Sequence, residues 1–169
     1  VYDRMTNIWH ERGFWDVLTG DFLAYRPQFH ANAFGRNLVQ DRSSGAIYAL
    51  SSSVFTDVDG RGIRRVRRMP HLANENKMQY FTFAELECDR GNGLLGSGQG
   101  SDPVVHLRTS NDGGKTWGFD RARKTGKIGE YKKRVRWNRC GRGRDRVWEL
   151  WSSDPVGTRW YDFYYGRVA

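Results

Sequence analysis

The chain has 169 residues, and its 28 lysines and arginines against 19 acidic residues give a net charge of +9. This length allows one domain or two small ones, and the charge suits either a polyanionic partner such as DNA, RNA or acidic lipid, or simply solubility and subunit contacts. Two cysteines, Cys88 and Cys140, exclude a disulfide framework, the four histidines lack metal-ligand spacing, and no apolar run is long enough to span a bilayer.

The predicted elements are strands. Short runs of β-favouring residues are separated by Gly, Asp, Asn and Ser, and no segment keeps the apolar spacing of a helix over three turns. A glycine-rich stretch over residues 90–102 predicts a loop. In chain order, the predicted strands are residues 8–12, 29–34, 46–51, 63–69, 80–87, 104–109, 131–137, 147–152 and 160–165.

Three turns carry more information than the strands between them. Asp3, Asp41 and Asp112 each begin a turn in which the carboxylate can accept backbone N–H groups two or three residues further on. Each turn then has Asn or Gly where a positive φ is expected, and each ends in an aromatic residue. The 38-residue spacing from Asp3 to Asp41 is close to the period of propeller blades, about 40 to 50 residues.

The third turn matches the Asp-box pattern S-x-D-x-G-x-T-W at every fixed position. Asp boxes lie in hairpins at the periphery of β-propeller blades, where they stabilise a turn and take no part in catalysis. An ordinary hairpin that carries the pattern by chance is the alternative. The residues that form the pattern are Ser110, Asp112, Gly114, Thr116 and Trp117.

The fold predicted from these features is all-β, with propeller-like blades or antiparallel hairpins that include the Asp-box hairpin, and with room for a sandwich-like C-terminal module. Polar residues near 70–77 interrupt the strand pattern and suggest a boundary. We expect propeller-blade-like hairpins in residues 1–72 and the Asp-box module in residues 73–169. The alternative is that both pack as one domain.

Basic residues concentrate in two segments. In residues 134–137 they alternate with apolar ones, so a strand would pack Val135 and Trp137 on one face and present Arg134 and Arg136 on the other. The candidates for contact with DNA or with another subunit are Arg64, Arg65, Arg67, Arg68, Lys132, Lys133, Arg134, Arg136, Arg142 and Arg144. No recognition helix or zinc finger is recognisable, so contact with DNA would be to the backbone and sensitive to salt. A solvated strand face, or pairing with acidic residues of a neighbouring subunit, is the alternative.

No catalytic motif is found. The chain has no G-x-S-x-G, phosphate-loop or H-E-x-x-H sequence, and no pair of carboxylates stands out as acid and base. We therefore expect no enzyme, no catalytic residue, no metal and no cofactor. The alternative that the Asp box raises is a noncatalytic glycan-binding module or a sialidase-like propeller, although six blades of about 40 residues exceed this chain.

Seven short segments, taken in order, resemble the C-terminal part of the packaged-DNA stabilization (tail hub) proteins of short-tailed bacteriophages. Members of that family are usually much longer, so this chain is expected to lack an N-terminal portion. The segments are IWHERG at 8–13, AFGRNLV at 33–39, IRRVRRMPHL at 63–72, GQGSDP at 98–103, GKIGEY at 126–131, GRDRV at 143–147 and SDPV at 153–156.

The resemblance implies a structural protein of the virion tail that is assembled in the cytoplasm of the bacterial host. It implies a homo-oligomeric ring, expected to hold six copies, that lies below the portal and adaptor proteins and lines or closes the DNA exit channel. It also implies a docking surface for the tail needle or tail fibres, and it implies no membrane partner. Non-specific contact with packaged double-stranded DNA follows from the same position.

Overall fold

The computed structural model describes residues 1–5 and 7–168. Thr6, which belongs to the first predicted turn, and Ala169, the last residue of the second predicted domain, lie outside the described residues. Within the described part of the chain there are sixteen strands, no helix, and only antiparallel pairings. The all-β prediction is therefore confirmed. The chain divides into two compact units, Val1–Val54 and Phe55–Ala169.

The first unit consists of two hairpins and a three-stranded sheet. β1 pairs with β2, β3 pairs with β4, and β5, β6 and β7 form the sheet in that order. The seven strands are β1 (Tyr2–Asp3), β2 (Ile8–Trp9), β3 (Gly13–Asp16), β4 (Asp21–Ala24), β5 (Pro27–Ala33), β6 (Arg36–Asp41) and β7 (Ile47–Leu50).

In the first unit, one turn has residues that favour its backbone conformation and another does not. Asp41 accepts hydrogen bonds from the backbone N–H of Ser43 at 2.9 Å and from its hydroxyl at 2.7 Å, as an Asx turn requires. The turn between β5 and β6 is Phe34-Gly35, with φ of 54° and 68°. Two positive φ values are typical of a type I′ hairpin turn, where Asn-Gly is preferred, and a left-handed residue with a Cβ costs roughly 1–2 kcal/mol.

The first unit buries few side chains. Val39 and Asp41 are its fully buried residues among those that the structure describes, and large apolar side chains at several turns are almost fully exposed. Met5, Leu18 and Phe34 are 93%, 95% and 95% exposed. These three side chains lie at separate turns, and single exposed apolar residues are common on protein surfaces.

The second unit contains two sheets. In the first sheet, β10 is central, with β16 on one side and β13 and β14 on the other; in the second, the order is β12-β11-β15-β8, and β9 also pairs with β15. The nine strands are β8 (Arg65–Arg68), β9 (Leu72–Ala73), β10 (Gln79–Cys88), β11 (Val104–Ser110), β12 (Arg121–Lys124), β13 (Val135–Asn138), β14 (Arg142–Gly143), β15 (Asp145–Ser152) and β16 (Trp160–Val168).

Both sheets contribute to one core. Leu86 of β10, Trp137 of β13 and Trp148 of β15 are buried in the same apolar cluster, which also takes in Leu107 of β11. Alternate residues of the strands point into this cluster, and two sheets that share a core in this way form a sandwich. Val135 and Trp137 are completely buried, so the predicted inward face of residues 134–137 is confirmed.

The two lateral sides of the sandwich differ. On one side, the edge strands β12 and β13 are joined: the Trp137 indole donates to the carbonyl of Arg121, and Arg123 Nε donates to the carbonyl of Arg136 at 2.9 Å. On the other side, β8 and β16 are edge strands, and a slot of about 600 Å³ lies between them. The two sides thus differ in how the sheets are joined, although the core residues that line the slot, Leu86, Trp148 and Leu150, are only 2%, 0% and 0% exposed.

The sequence-based boundary at residue 72 differs from the division in the structure. β8 lies before that boundary and β9 (Leu72–Ala73) spans it, and both pair with β15, in a sheet that continues beyond residue 73. The two compact units divide instead between Val54 and Phe55. The expectation of propeller blades is not confirmed, because the short sheets of the first unit contain two or three strands each, whereas a blade has four.

Candidate functional site

The turn at residues 110–117 is held by its own side chains. Asp112 accepts hydrogen bonds from the backbone N–H groups of Lys115 and Thr116 at 3.0 and 2.9 Å, and from the Thr116 hydroxyl at 2.6 Å. Ser110 Oγ donates to Asp112 at 2.6 Å and accepts from the Gly114 N–H at 2.8 Å. The hydroxyls of Ser110 and Thr116 and the turn backbone hold the pKa of Asp112 well below its usual range. Both oxygens of the Asp112 carboxylate thus accept hydrogen bonds from within the turn. That the turn is an Asp box stays a prediction from the sequence pattern.

Trp117, the last residue of this turn, lies against an ion cluster built around one buried glutamate. Glu149 of β15 is 1% exposed, and its two oxygens pair with Arg68 of β8 and Arg108 of β11 at 2.8 and 2.5 Å. The guanidinium groups of Arg68 and Arg108 lie 5.0 and 4.7 Å from the ring of Trp117. Cation–π contacts therefore connect the turn to β8 and β11, the two strands that flank β15.

A second aromatic cluster lies on the same sheet face, two register positions along β11 and β15. His106 is directly opposite Trp151, and their rings stack at 3.8 Å with an angle of 4° between the planes. Arg64 lies 3.8 Å from the ring of Trp151, and the Trp151 indole donates to Asp120 at 2.9 Å. Burial, together with the charge of Arg64, lowers the pKa of His106 and favours its neutral form.

Most of the basic residues proposed as contacts have partners within the chain. Arg65 donates to the carbonyl of Asp154 at 3.3 Å and lies over Phe55, and Lys133 pairs with Glu130 at 3.0 Å. Arg64 and Arg68 belong to the two aromatic clusters just described. These four side chains have a structural role in the unit, whatever else they contact.

Arg134 and Arg136 also have an internal partner. Both pair with Glu85 of β10, at 2.7 and 3.2 Å, and Arg136 lies 3.9 Å from the ring of Phe83. Hydrogen bonds from Arg134 are the largest cause of the lowered pKa of Glu85. Two guanidinium groups that share one carboxylate are less available to an external phosphate or to an acidic subunit than the strand pattern alone suggests.

The remaining candidates have no such partner. Among the described residues, no ion pair or side-chain hydrogen bond joins Arg67, Lys132, Arg142 or Arg144 to another group, and all four are exposed. Arg142 and Arg144 flank the buried Gly143, where a Cβ atom would come within 2.3 Å of Asn111 Oδ1. The backbone is therefore held closely at this point while the two guanidinium groups extend into solvent.

The buried Arg146 holds the segment that carries Arg142 and Arg144 in place. Arg146 is 2% exposed, and it donates to the carbonyls of Cys140 and Arg142 at 2.7 and 2.9 Å and to Asn111 Oδ1 at 2.8 Å. Its guanidinium also lies 4.6 Å from the ring of Phe81. These contacts join the loop before β15 to the turn that follows β11.

The slot between β8 and β16 is a candidate site that the sequence reasoning missed. Leu86, Trp148 and Leu150 from the core line it, together with Phe163 and Tyr165 of β16. The indole N–H groups of Trp148 and Trp160, both in the lining, are buried, and neither finds an acceptor in the described part of the structure. Buried donors without a partner are rare and call for an explanation.

Other kinds of site are not found in the described residues. Within residues 1–5 and 7–168, no group of three or more His, Cys, Asp or Glu residues is placed to hold a metal ion. Over the same residues, no helix is long and apolar enough to cross a membrane.

Comparison with known families identifies the sandwich. A family model described as the β-sandwich of bacteriophage P22 Gp10 matches residues 64–163, which is more than half of the chain. The chain belongs to this family. The P22 Gp10 sandwich family comprises tail proteins of short-tailed phages, so the expected family is confirmed and the chain is a structural phage tail protein. No curated protein matches the chain.

The part that matches the P22 Gp10 sandwich family contains every candidate residue named from the sequence. Residues 64–163 include the turn at 110–117 and all ten basic candidates, whereas the first unit lies outside the match. Sequence reasoning missed Arg108 and Glu149. A charged residue in the middle of an apolar strand could have indicated that each is paired. Which residues pair depends on the register of β11, β15 and β8.

Proposed function

We propose that this P22 Gp10 family member forms a ring in the phage tail that stabilises packaged DNA by lining or closing the exit channel. The observation that carries the proposal is the pair of exposed arginines without internal partners, Arg142 and Arg144, on a segment whose backbone is held by Asn111 and Arg146. Guanidinium groups on a stiff support can face phosphates without paying to order a flexible loop.

The proposed DNA contact is electrostatic and independent of sequence. In the family assigned here the chain is a structural component, and a plug against pressurised DNA needs stiffness and interface area but no turnover. Phosphate contacts release counterions, so binding should weaken steeply as salt increases. Arg67 and Lys132 can add to the positive surface, since both are exposed as well.

A filter-binding titration of linear duplex DNA at several salt concentrations tests this contact. We expect the double variant Arg142→Gln/Arg144→Gln to bind more weakly and to reduce the slope of log K against log salt by about one for each phosphate contact removed. Folding should be unchanged, because the side chains are exposed and the bonds to this segment involve its backbone carbonyl.

A charge-matched control is Arg61→Gln combined with Arg36→Gln. Arg61 lies in an exposed turn and pairs with the neighbouring Asp59, and Arg36 is an exposed residue of β6. This control also removes two positive charges, so an equal loss in both double variants would mean that net charge alone governs binding. No binding of duplex by the parent protein at low salt would remove the DNA contact and leave the tail role.

The ring and its neighbours are the second part of the proposal. We expect six copies of the chain to assemble in the host cytoplasm. In the virion, the ring would lie between the portal or adaptor and the tail needle or fibres. Negative-stain imaging with the adaptor protein should show rings. A protein that stays monomeric and never joins adaptor complexes would contradict it.

The third part of the proposal concerns the hairpins of residues 1–72. We suggest that they pack as propeller-like blades within the assembled tail, and that residues 73–169 serve as the module beside them. The support is the small number of buried side chains in the first unit, whose exposed apolar residues an assembled tail would cover. A cryo-electron microscopy map of the assembled tail that shows no blade at this position would contradict it.

A further inference from the structure

We propose that the outer edge of β8 (Arg65–Arg68) accepts an extended acidic segment of a partner protein as an additional antiparallel strand of the second sheet. The acidic side chains of that segment alternate along the strand, so that one of them faces Arg67. The inference goes beyond the proposed ring and the proposed DNA contact, and it depends on neither. It rests on the position of β8 in the sheet and on the charge of its side chains.

The outer edge of β8 is open to a further strand. β8 is the last strand in the order β12-β11-β15-β8, so only its inner edge pairs, with β15. The N–H of Met69 donates to the carbonyl of Trp148 at 2.9 Å, and the bonds of an antiparallel ladder recur at every second residue. The backbone groups of Arg67 therefore face β15, whereas those of Val66 and Arg68 face outward. In the described part of the chain, no backbone bond outside the strand ladders involves either of these two residues.

The side chain of Arg67 selects the kind of strand that can pair with this edge. Arg67 is opposite Leu150 in the register, so its side chain is on the face of the sheet that is turned toward the core. It is exposed, and no described residue forms an ion pair with it. An inward-pointing charge on an edge strand opposes pairing with unsuitable strands. The same charge favours a strand that places a carboxylate opposite it.

Arg65 extends the positive edge by two residues on the same face of β8. Its guanidinium donates to the backbone carbonyl of Asp154 at 3.3 Å, and among the described residues no carboxylate forms an ion pair with it. Across the slot, β16 contributes one acidic residue, Asp162, against the two arginines. The edge therefore keeps a net positive charge, and its two arginines at alternate positions match acidic residues at alternate positions of an added strand.

A segment of a different protein is the partner that suits this edge. A strand edge offers both N–H donors and carbonyl acceptors, and a polypeptide backbone can pair with both, whereas the phosphates of DNA only accept. A second copy of the chain is a poor partner, because its own edge strands are not acidic. β12 has the sequence RARK, β13 has the sequence VRWN, and β16 contains one acidic and one basic residue.

Fluorescence anisotropy with short labelled peptides tests the proposal on the whole chain. A peptide in which glutamate alternates with valine should bind. A peptide of the same composition with its glutamates grouped together should bind at least about tenfold more weakly, because only alternation places the acids on one face of a strand. Equal binding of the two peptides, or no binding of the alternating peptide at millimolar concentration, would overturn the proposal.

Methylation of the peptide's backbone amides separates strand addition from attraction between charges. Since the backbone groups of Arg67 face β15, a glutamate opposite it turns its amide away from β8, and the valines on either side turn theirs toward β8. N-methylated valines should therefore abolish binding, whereas N-methylated glutamates should leave it intact. Equal binding of the two methylated peptides, or the reverse order, would contradict an added antiparallel strand.

Amide hydrogen exchange locates the bound peptide on the protein. Binding of the alternating peptide should slow the exchange of the Val66 and Arg68 amides, which face outward, and should leave that of Arg67 unchanged, because its amide already faces β15. Binding without protection of Val66 and Arg68 would place the peptide elsewhere and overturn the proposal.

Charge reversal at Arg67 tests the side-chain contact. Arg67→Glu should weaken binding of the alternating peptide by at least about tenfold, and a peptide with lysine in place of glutamate should bind this variant better than it binds the parent protein. The milder Arg67→Gln should give a smaller loss in the same direction. The matched control is Arg36→Glu, an equal change in charge at an exposed residue of β6, which should bind like the parent protein. Equal losses in Arg67→Glu and Arg36→Glu would show that net charge governs binding and would overturn the proposal.

Discussion

The carboxylate of Asp41 shows how one buried acid stabilises the first unit. Hydrogen bonds from the backbone and the hydroxyl of Ser43, followed by those from Arg26, lower the pKa of Asp41 from 3.8 to about 2. The aspartate is 2% exposed, at the end of β6. The charged form of Asp41 is therefore stabilised by hydrogen bonds within the unit and has almost no contact with solvent.

Acid should weaken the β5–β6–β7 sheet over a defined pH range. Because the pKa of Asp41 is lower in the folded state than its ordinary value of 3.8, its contribution to stability is complete above about pH 4 and is lost as the pH falls through about 2. The protection factors of the amides of residues 27–50, taken as the ratio of the intrinsic to the observed exchange rate at each pH, should therefore fall over this range. Asp41→Asn should remove most of that pH dependence and weaken the sheet at neutral pH.

The control for this prediction is Asp21→Asn, which changes an exposed aspartate at the start of β4 in the same unit. It should leave the pH dependence of exchange in β5, β6 and β7 unchanged. An identical acid response in the parent protein and in Asp41→Asn would show that another group controls the sheet.

At the residue scale, the sequence predicts bonds that are local in the chain. The acceptors in the turns at Asp41 and Asp112 could be foreseen because their donors lie two to four residues away. The partners of Arg146 could not, since Asn111 is 35 residues away and comes into reach only after the sheet has formed. The exposure of Arg142 beside the buried Gly143 depends on the same folding.

At the scale of elements, Glu149 joins three strands. Its pairs with Arg68 and Arg108 connect β15 to β8 and β11 at directly opposed register positions, Arg108↔Glu149↔Arg68. Charged hydrogen bonds of this kind are stronger than neutral ones, and removing one member of a buried pair leaves the others uncompensated.

Glu149→Gln should destabilise the second unit by about 2–4 kcal/mol, because both guanidinium groups lose their counter-charge within the sheet. Denaturant unfolding followed by tryptophan fluorescence measures the change. The matched control is Glu87→Gln, which removes a carboxylate that is 44% exposed and paired with Arg90, and should cost less than about 1 kcal/mol. Equal effects of the two substitutions would contradict a special role for the buried acid.

The strands that were predicted and those that were missed differ in composition. The long apolar strands β10, β11 and β15 overlap residues 80–87, 104–109 and 147–152, as predicted. β12, with the sequence RARK, lacks an apolar pattern and forms because it pairs with β11. Edge strands of this kind are determined by their neighbours in the sheet, which a single segment of sequence does not record.

At the scale of the whole molecule, the two units differ in the core that they bury. Nearly all fully buried apolar residues of the described chain belong to the second unit, and Val39 is the one from the first. The free energy of folding grows with buried apolar surface, so the first unit should be the less stable.

The two units should therefore unfold in two steps, with the first unit opening at lower denaturant concentration. Hydrogen exchange reports on residues 1–54, while maleimide labelling of Cys88 and Cys140 reports on the second unit, which contains both cysteines. Burial raises the pKa of the Cys88 thiol to about 11, so this thiol should react only after unfolding. A single coincident transition by both probes would contradict independent units.

The overall architecture was the least predictable from the sequence. Turn patterns such as those at Asp3, Asp41 and Asp112 predict hairpins, and hairpins occur in both propellers and sandwiches. What makes the second unit a sandwich is the distant pairing of β8 with β15 and of β10 with β16, across more than 70 residues. The repeat-like spacing of two aspartates holds no information about such pairings.

The alignment of β10 with β16 has a mechanical consequence. Eight residue pairs connect these two strands, from Tyr80↔Val168 to Cys88↔Trp160. Tension applied along the strands must load all of these rungs together before any breaks, whereas a perpendicular pull at one end would unzip them singly. A tail part that bears the outward thrust of a filled capsid would be toughest if that thrust ran lengthwise through this pair.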